Sequence, residues 1–163
     1  MSQMITRRTL LTTSVVTFAL PVAAYANMTT ITAQEANAGL QQGNLILIDV
    51  RTPQEWGQTG VAKGAWMLDM THRDFGNWLM TAIQRNPDHQ IAIICRTGSR
   101  TGRLMQVLQQ NGITNILDVT EGMIGGPRGT GWIPSGLPTV PAQQAFDAMP
   151  KDLKAASDVV PAD

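Results

Sequence analysis

The run Ile91-Ala92-Ile93-Ile94-Cys95-Arg96-Thr97-Gly98-Ser99-Arg100 decides how this chain is read, because a strand, a turn and a helix start meet in it. Residues 91–94 are all apolar and rich in isoleucine, which suits a strand covered on both faces. Gly98 allows the chain to curl. A helix is expected over residues 99–110, with Leu104, Val107 and Leu108 on one side and Gly112 beyond its end. Cys95 therefore sits at the carboxyl end of a strand, just ahead of a helix N-terminus.

Cys95 is the single cysteine of the chain, so it closes no internal disulfide and is either a buried packing residue or a free reactive thiol. Its neighbours decide for reactivity. The helix start brings partial positive charge and unpaired amides, Arg96 and Arg100 add fixed charge, and a loop curled at Gly98 aims several N–H groups at one point; all three favour a thiolate. Such a cradle fits a substrate that is itself a sulfur-containing anion. His72 and His89 lie in no motif that would make either a base, so both are read as surface or structural residues and a Cys-His hydrolase is disfavoured. One cysteine and two separated histidines make no metal ligand set, no organic-cofactor motif is visible, and no cofactor is expected.

Upstream, Thr32 with Glu35 forms a capping box for a helix over residues 33–41, and Gly43 follows in the turn. Residues 45–48 form another all-apolar strand. Thr52-Pro53-Gln54-Glu55 repeats the helix-start pattern with proline at the first helical position, which leaves Asp49 and Arg51 at a strand's carboxyl end. Further elements are a strand near residues 65–68, a helix over residues 75–85 with Phe75, Leu79 and Ile83 on one face, and a strand over residues 116–119. Trp78 and Ala82 broaden the face of that helix. Residues 122–141 are rich in Gly and Pro and read as an ordered loop or a short closing segment without regular structure. The pattern is α/β: one domain over residues 27–140, a mainly parallel sheet flanked by helices on both faces, with residues 141–163 as a tail carrying a short helix. In such sheets ligands bind beyond the carboxyl ends of the strands, and Cys95 is at one.

Residues 1–26 read as an export signal and are set apart from the fold. Arg7 and Arg8 precede an uncharged, largely apolar run, and Ala24-Tyr25-Ala26 offers a small-residue cleavage site. The run is too short to span a bilayer, so no stable membrane anchor is expected. Thr6-Arg7-Arg8-Thr9-Leu10-Leu11 resembles a twin-arginine signal, which implies passage of a folded protein into a bacterial periplasm. Removing Arg7 and Arg8 leaves 10 basic against 12 acidic residues, a net charge of −2. That near-neutral balance gives no reason to expect a nucleic-acid partner.

The segment from Cys95 to Arg100, set between a buried strand and a helix, resembles the active-site loop of rhodanese domains. Leu47-Ile48-Asp49-Val50-Arg51-Thr52-Pro53-Gln54-Glu55-Trp56 is similar to that family's strand-end Asp-x-Arg block, with its following acidic and aromatic residues. Residues 60–65 match a block that usually reads Gly-His-Ile-x-Gly-Ala, with Val61 in place of His. Glu121-Gly122-Met123 and the chain onward to Trp132 match the late Gly-rich segment, lengthened here by Gly125-Gly126-Pro127-Arg128-Gly129. The resemblance covers about residues 30–138.

It implies a thiosulfate sulfurtransferase type of enzyme, in which Cys95 takes the outer sulfur of a small anionic donor as a persulfide and passes it to a thiol or cyanide-like acceptor, including one on a periplasmic protein. Arg96, Thr97, Gly98, Ser99 and Arg100 would bind substrate, with Arg100 either contacting it or bracing the loop. Asp49 and Arg51 would be structural support. The alternatives are a persulfide carrier or partner-binding module of the same fold and, less favoured, a Cys-loop phosphatase or arsenate reductase. The last needs an arginine six residues after the cysteine, where this chain has Thr101 and the arginine comes one place earlier.

Overall fold

The structure, a computed structural model, describes residues 29–157, so the export signal read over residues 1–26 lies outside the described residues. Its elements in chain order are β1 Thr30–Ile31, α1 Ala33–Gln42, β2 Leu45–Asp49, α2 Pro53–Thr59, β3 Val61–Ala62, β4 Trp66–Met67, α3 Phe75–Arg85, β5 Gln90–Ile94, α4 Ser99–Gln110, β6 Ile116–Val119, β7 Thr139–Val140 and α5 Ala142–Ala148. A 3₁₀ segment, Lys151–Ser157, follows α5.

Local chemistry sets the helix starts. Thr32 and Glu35 form a reciprocal capping box on α1, and Thr52 and Glu55 form one on α2, where Pro53 stands in the first turn. Each box satisfies two backbone donors that the helix itself leaves unpaired. Gly43 ends α1 at φ 70°, a conformation that glycine reaches without steric cost.

Five strands form one parallel sheet in the order β1-β6-β5-β2-β4. Every residue of β2 and β6 is buried, as are all of β5 after Gln90. Full burial of consecutive residues means that both faces of the sheet are covered, as a parallel sheet with crossover helices requires. The chain runs outward from β2 to β4, returns to the other side of β2 for β5, and then continues to β6. The order thus reverses between β2 and β5, and the crevice beyond their carboxyl ends is where such a sheet holds its ligand. Val50 donates its amide to the Ile94 carbonyl at 2.9 Å, closing the two strand ends together at that place.

The packed face of α4 differs from the sequence expectation. Thr101, Met105 and Leu108 are buried, whereas Val107 is 53% exposed. Counting apolar residues alone favours Val107 and passes over Thr101, which is fully buried with its hydroxyl against Cys95 Sγ and the Gly98 carbonyl. On α3 the buried residues are Phe75, Leu79 and Ala82, with Ile83 and Trp78 partly covered.

Residues 122–138 cross the carboxyl ends of β5 and β6 before β7 pairs antiparallel with β3. The chain from Pro141 onward, read from the sequence as a tail, places Ala142, Ala145, Met149 and Leu153 in the buried core. The Met149 sulfur accepts from the Met67 amide at 3.4 Å, so this segment is tied to the edge strand β4.

Candidate active site

Cys95 follows directly on β5 and is fully buried. The loop from Arg96 to Gly98 rises over it and enters α4, with Gly98 as the N-cap at φ 80°. A side chain at Gly98 would bring its Cβ to 1.8 Å from the Thr120 carbonyl oxygen, so the position requires glycine for space as well as for conformation. Gly122 fills the matching place in the late segment: φ is 69°, and a Cβ there would lie 2.6 Å from the Arg96 carbonyl oxygen. Two backbones meet where two side chains are absent.

The late segment also stitches the loop from outside. The Met123 amide donates to the Cys95 carbonyl at 2.9 Å and the Ile124 amide to the Arg96 carbonyl at 3.0 Å. These bonds engage the carbonyls of Cys95 and Arg96 from the side of the late segment. Among the described residues no backbone carbonyl accepts from the amides of Arg96, Thr97 or Gly98, and the first amides of α4 have no intrahelical acceptor by the nature of a helix start. The loop therefore keeps donors available for an anion.

Around this loop the sequence-derived candidates divide. Arg96 and Ser99 are exposed, Thr97 is half-buried with its hydroxyl 3.4 Å from that of Ser99, and Gly98 is buried. Arg100 is committed elsewhere: its two terminal nitrogens donate to the Glu55 carboxylate at 2.8 and 2.5 Å. The hydrogen bond to Glu55 holds the guanidinium pKa above its ordinary value, and the group remains within electrostatic reach of Cys95 and Asp49. Burial acts to raise the Glu55 pKa, but the bond from Arg100, those from Thr52 and the Arg100 charge outweigh it and bring the carboxyl down to about 2.

Asp49 and Arg51 are buried together beneath α2. The Arg51 side chain donates to both Asp49 oxygens, at 2.7 Å in the shortest contact, and reaches on to the Gly60 carbonyl and the Thr59 hydroxyl. A buried guanidinium needs such complete satisfaction. The pair fixes the carboxyl end of α2 relative to β2, and α2 in turn presents Glu55 to Arg100.

Three polar residues that adjoin the sulfur or the loop over it carry no motif in the sequence. The Thr101 hydroxyl is 3.6 Å from Cys95 Sγ and donates to the Gly98 carbonyl at 3.2 Å. Behind it lies Asp118, buried in β6, with Arg128 of the late segment 3.9 Å away. Arg128 also donates to the Gly98 carbonyl at 3.1 Å. Burial pushes the Asp118 carboxyl above its ordinary pKa, against the lowering effects of the Thr101 hydroxyl and the Arg128 charge. A charged residue inside the apolar run Ile116-Leu117-Asp118-Val119 was the available signal for this group. His72 and His89 take no part here: His72 stacks on Trp78 with ring centroids 4.5 Å apart, and His89 is exposed.

Against known proteins, the rhodanese-like domain family matches residues 32–125. An uncharacterised protein of Rickettsia prowazekii is 26% identical over 108 residues, spanning 63% of this chain and 88% of its own length. A rhodanese-related protein of Thermoplasma volcanium superimposes with a TM-score of 0.50 at 26% identity, over 68% of this chain and 96% of that one. A protein of Rhodopseudomonas palustris described as of unknown function and a possible tyrosine phosphatase superimposes with a TM-score of 0.54 at 19% identity, over 76% of this chain and 97% of that one. At that identity the likeness is one of fold.

Proposed function

The chain belongs to the rhodanese-like domain family, and from that membership we propose that it is a sulfurtransferase carrying sulfur on Cys95. The observation that supports this reading is the short loop between β5 and α4, in which Cys95 is fully buried, the amides of Arg96, Thr97 and Gly98 donate to no backbone carbonyl among the described residues, and Arg100 follows the cysteine by five residues.

In this reading Cys95 Sγ attacks the outer sulfur of a thiosulfate-like or persulfide donor. The donor's S–S bond breaks, its leaving group departs with the electron pair, and Cys95 holds a persulfide. The amides from Arg96 to Arg100 stabilise the negative outer sulfur. Arg96, exposed at the mouth, draws the anionic donor in. Arg100 braces the loop through Glu55. A thiol or cyanide-like acceptor, free or on a partner protein, then attacks the outer sulfur and releases Cys95. The export signal read over residues 1–26 assigns this chemistry to the periplasm, along a twin-arginine route.

The test is incubation of the protein with thiosulfate and, separately, with a glutathione persulfide, followed by intact mass measurement for one added sulfur atom. Cyanide is then added and thiocyanate followed, with Cys95→Ser in parallel. Loading and discharge by the wild type alone support the sulfurtransferase. Loading without turnover of small acceptors selects the carrier. Failure to load from either donor, together with hydrolysis of an aryl phosphate, would overturn the reading in favour of a phosphatase.

A further inference from the structure

A buried thiol must lose its proton before it can attack, and among the described residues no histidine approaches Cys95. The Thr101 hydroxyl is its nearest polar side-chain contact, at 3.6 Å. That hydroxyl has one proton and three neighbours able to accept it: the Gly98 carbonyl, the sulfur and the Asp118 carboxyl.

Asp118 itself is unusual. It is 3% exposed, and its Oδ1 has no hydrogen-bond partner among the described residues. A buried carboxylate oxygen left unpaired is costly, and a structural role would be met better by leucine or threonine at this strand position. The other carboxylate oxygen is 3.9 Å from Arg128, which is half exposed and so compensates its charge only in part. Arg128 reaches this place because residues 125–129 lengthen the late segment, and because Gly102 of α4 leaves the space: a Cβ there would lie 2.8 Å from the guanidinium.

We infer that Asp118 is the proton acceptor for the Cys95 thiol, acting through the Thr101 hydroxyl, with Arg128 holding the carboxylate in its ionised, accepting form. The inference rests on the sulfurtransferase reading only for its place in the cycle. As Sγ attacks, the thiol proton passes to Thr101 Oγ1 while the hydroxyl's own proton passes to Asp118. The donor's S–S electron pair leaves with its inner group, so Asp118 ends neutral and the persulfide carries the negative charge. When an acceptor removes the outer sulfur, Cys95 leaves with the electron pair and the proton returns by the same route. Burial makes Asp118 readier than an exposed carboxylate to take that proton. Of the other charges on the neighbouring elements, Arg96 is exposed, Arg100 is paired with Glu55, Asp49 is paired with Arg51, and Glu121 accepts from the Gly131 amide. None of them touches Thr101.

The test reads the thiol without sulfur transfer. Rates of Cys95 alkylation by iodoacetamide are measured from about pH 5 to 10 for the wild type, Asp118→Asn, Thr101→Val and Thr101→Ser, with thermal melts for each. A relay predicts that near neutral pH Asp118→Asn and Thr101→Val react roughly tenfold more slowly than the wild type, while Thr101→Ser keeps the wild-type profile. A carboxylate that only sits nearby repels a thiolate, so its removal would instead speed alkylation. Unchanged or faster reaction in Asp118→Asn overturns the inference. Should Asp118→Asn not fold, the contrast of Thr101→Val with Thr101→Ser decides alone, and equal rates in the two overturn it. Slowed alkylation in a protein that loads no sulfur would keep the relay and discard the sulfurtransferase; normal loading with unaltered alkylation would do the reverse.

Discussion

Glu55 and Arg100 stand 45 residues apart in the chain and close a two-pronged ion pair over the edge of the reactive loop. The same carboxylate that caps α2 through Thr52 thus anchors the first turn of α4. Replacing Glu55 by Gln keeps an acceptor for the cap and removes the charge. The expected loss is about 1–2 kcal/mol of stability once solvent screening is allowed for. Urea unfolding checks the stability, and a fall in the rate of sulfur loading larger than any fall for Arg73→Ala, an exposed arginine, checks the link to the loop.

The pH dependence of that contribution has a definite sign. Glu55 has its carboxyl lowered from an ordinary 4.5 to about 2, so the folded state binds this proton less readily than the unfolded chain. The stabilisation is present above pH 4.5 and is lost as pH falls from there toward 2. Urea midpoints of the wild type and Glu55→Gln should therefore differ most near neutrality and converge at low pH. A gap that widens on acidification would contradict the pairing.

Gly98→Ala and Gly76→Ala form a matched contrast. At Gly98 a Cβ would overlap the Thr120 carbonyl at 1.8 Å, whereas at Gly76, exposed on α3, nothing lies within 4 Å. The first substitution is expected to cost upward of about 3 kcal/mol and to abolish loading of Cys95. The second should be neutral or stabilise by about 0.5–1 kcal/mol, because alanine narrows the unfolded chain and favours the helix. Thermal melts of the two variants test both directions at once.

Arg51→Ala leaves the Asp49 carboxylate buried without its guanidinium and frees the Gly60 carbonyl and Thr59 hydroxyl. The expected cost is about 3–5 kcal/mol. Arg100→Ala, at a partly exposed pair, should cost less than half of that. Equal costs in a denaturant titration would show that α2 is held by something other than the buried pair.

The elements of this fold were legible wherever local chemistry fixes them. Thr32 with Glu35 and Thr52 with Glu55 marked two helix starts that the structure reproduces, and the passage from isoleucines into Cys95 marked the strand end. Contacts between distant elements were not legible. Nothing within a few residues of Glu55 reveals that its carboxylate meets Arg100, and the inward turn of Thr101 is hidden because threonine does not count as apolar. The packing of Ala142 and Ala145 escaped notice for a related reason: small side chains give a weak periodic signal, yet they allow a helix to approach closely.

The bonds from the Met123 and Ile124 amides to the Cys95 and Arg96 carbonyls, with those from Trp132 to Gly122 and Ile133 to Met123, make the loop and the late segment a single cooperative patch. Its amides should exchange with deuterium together, on one clock, instead of fraying one by one as a surface loop does. A reagent too bulky to pass the mouth would then meet the sulfur only at the tempo of that shared opening.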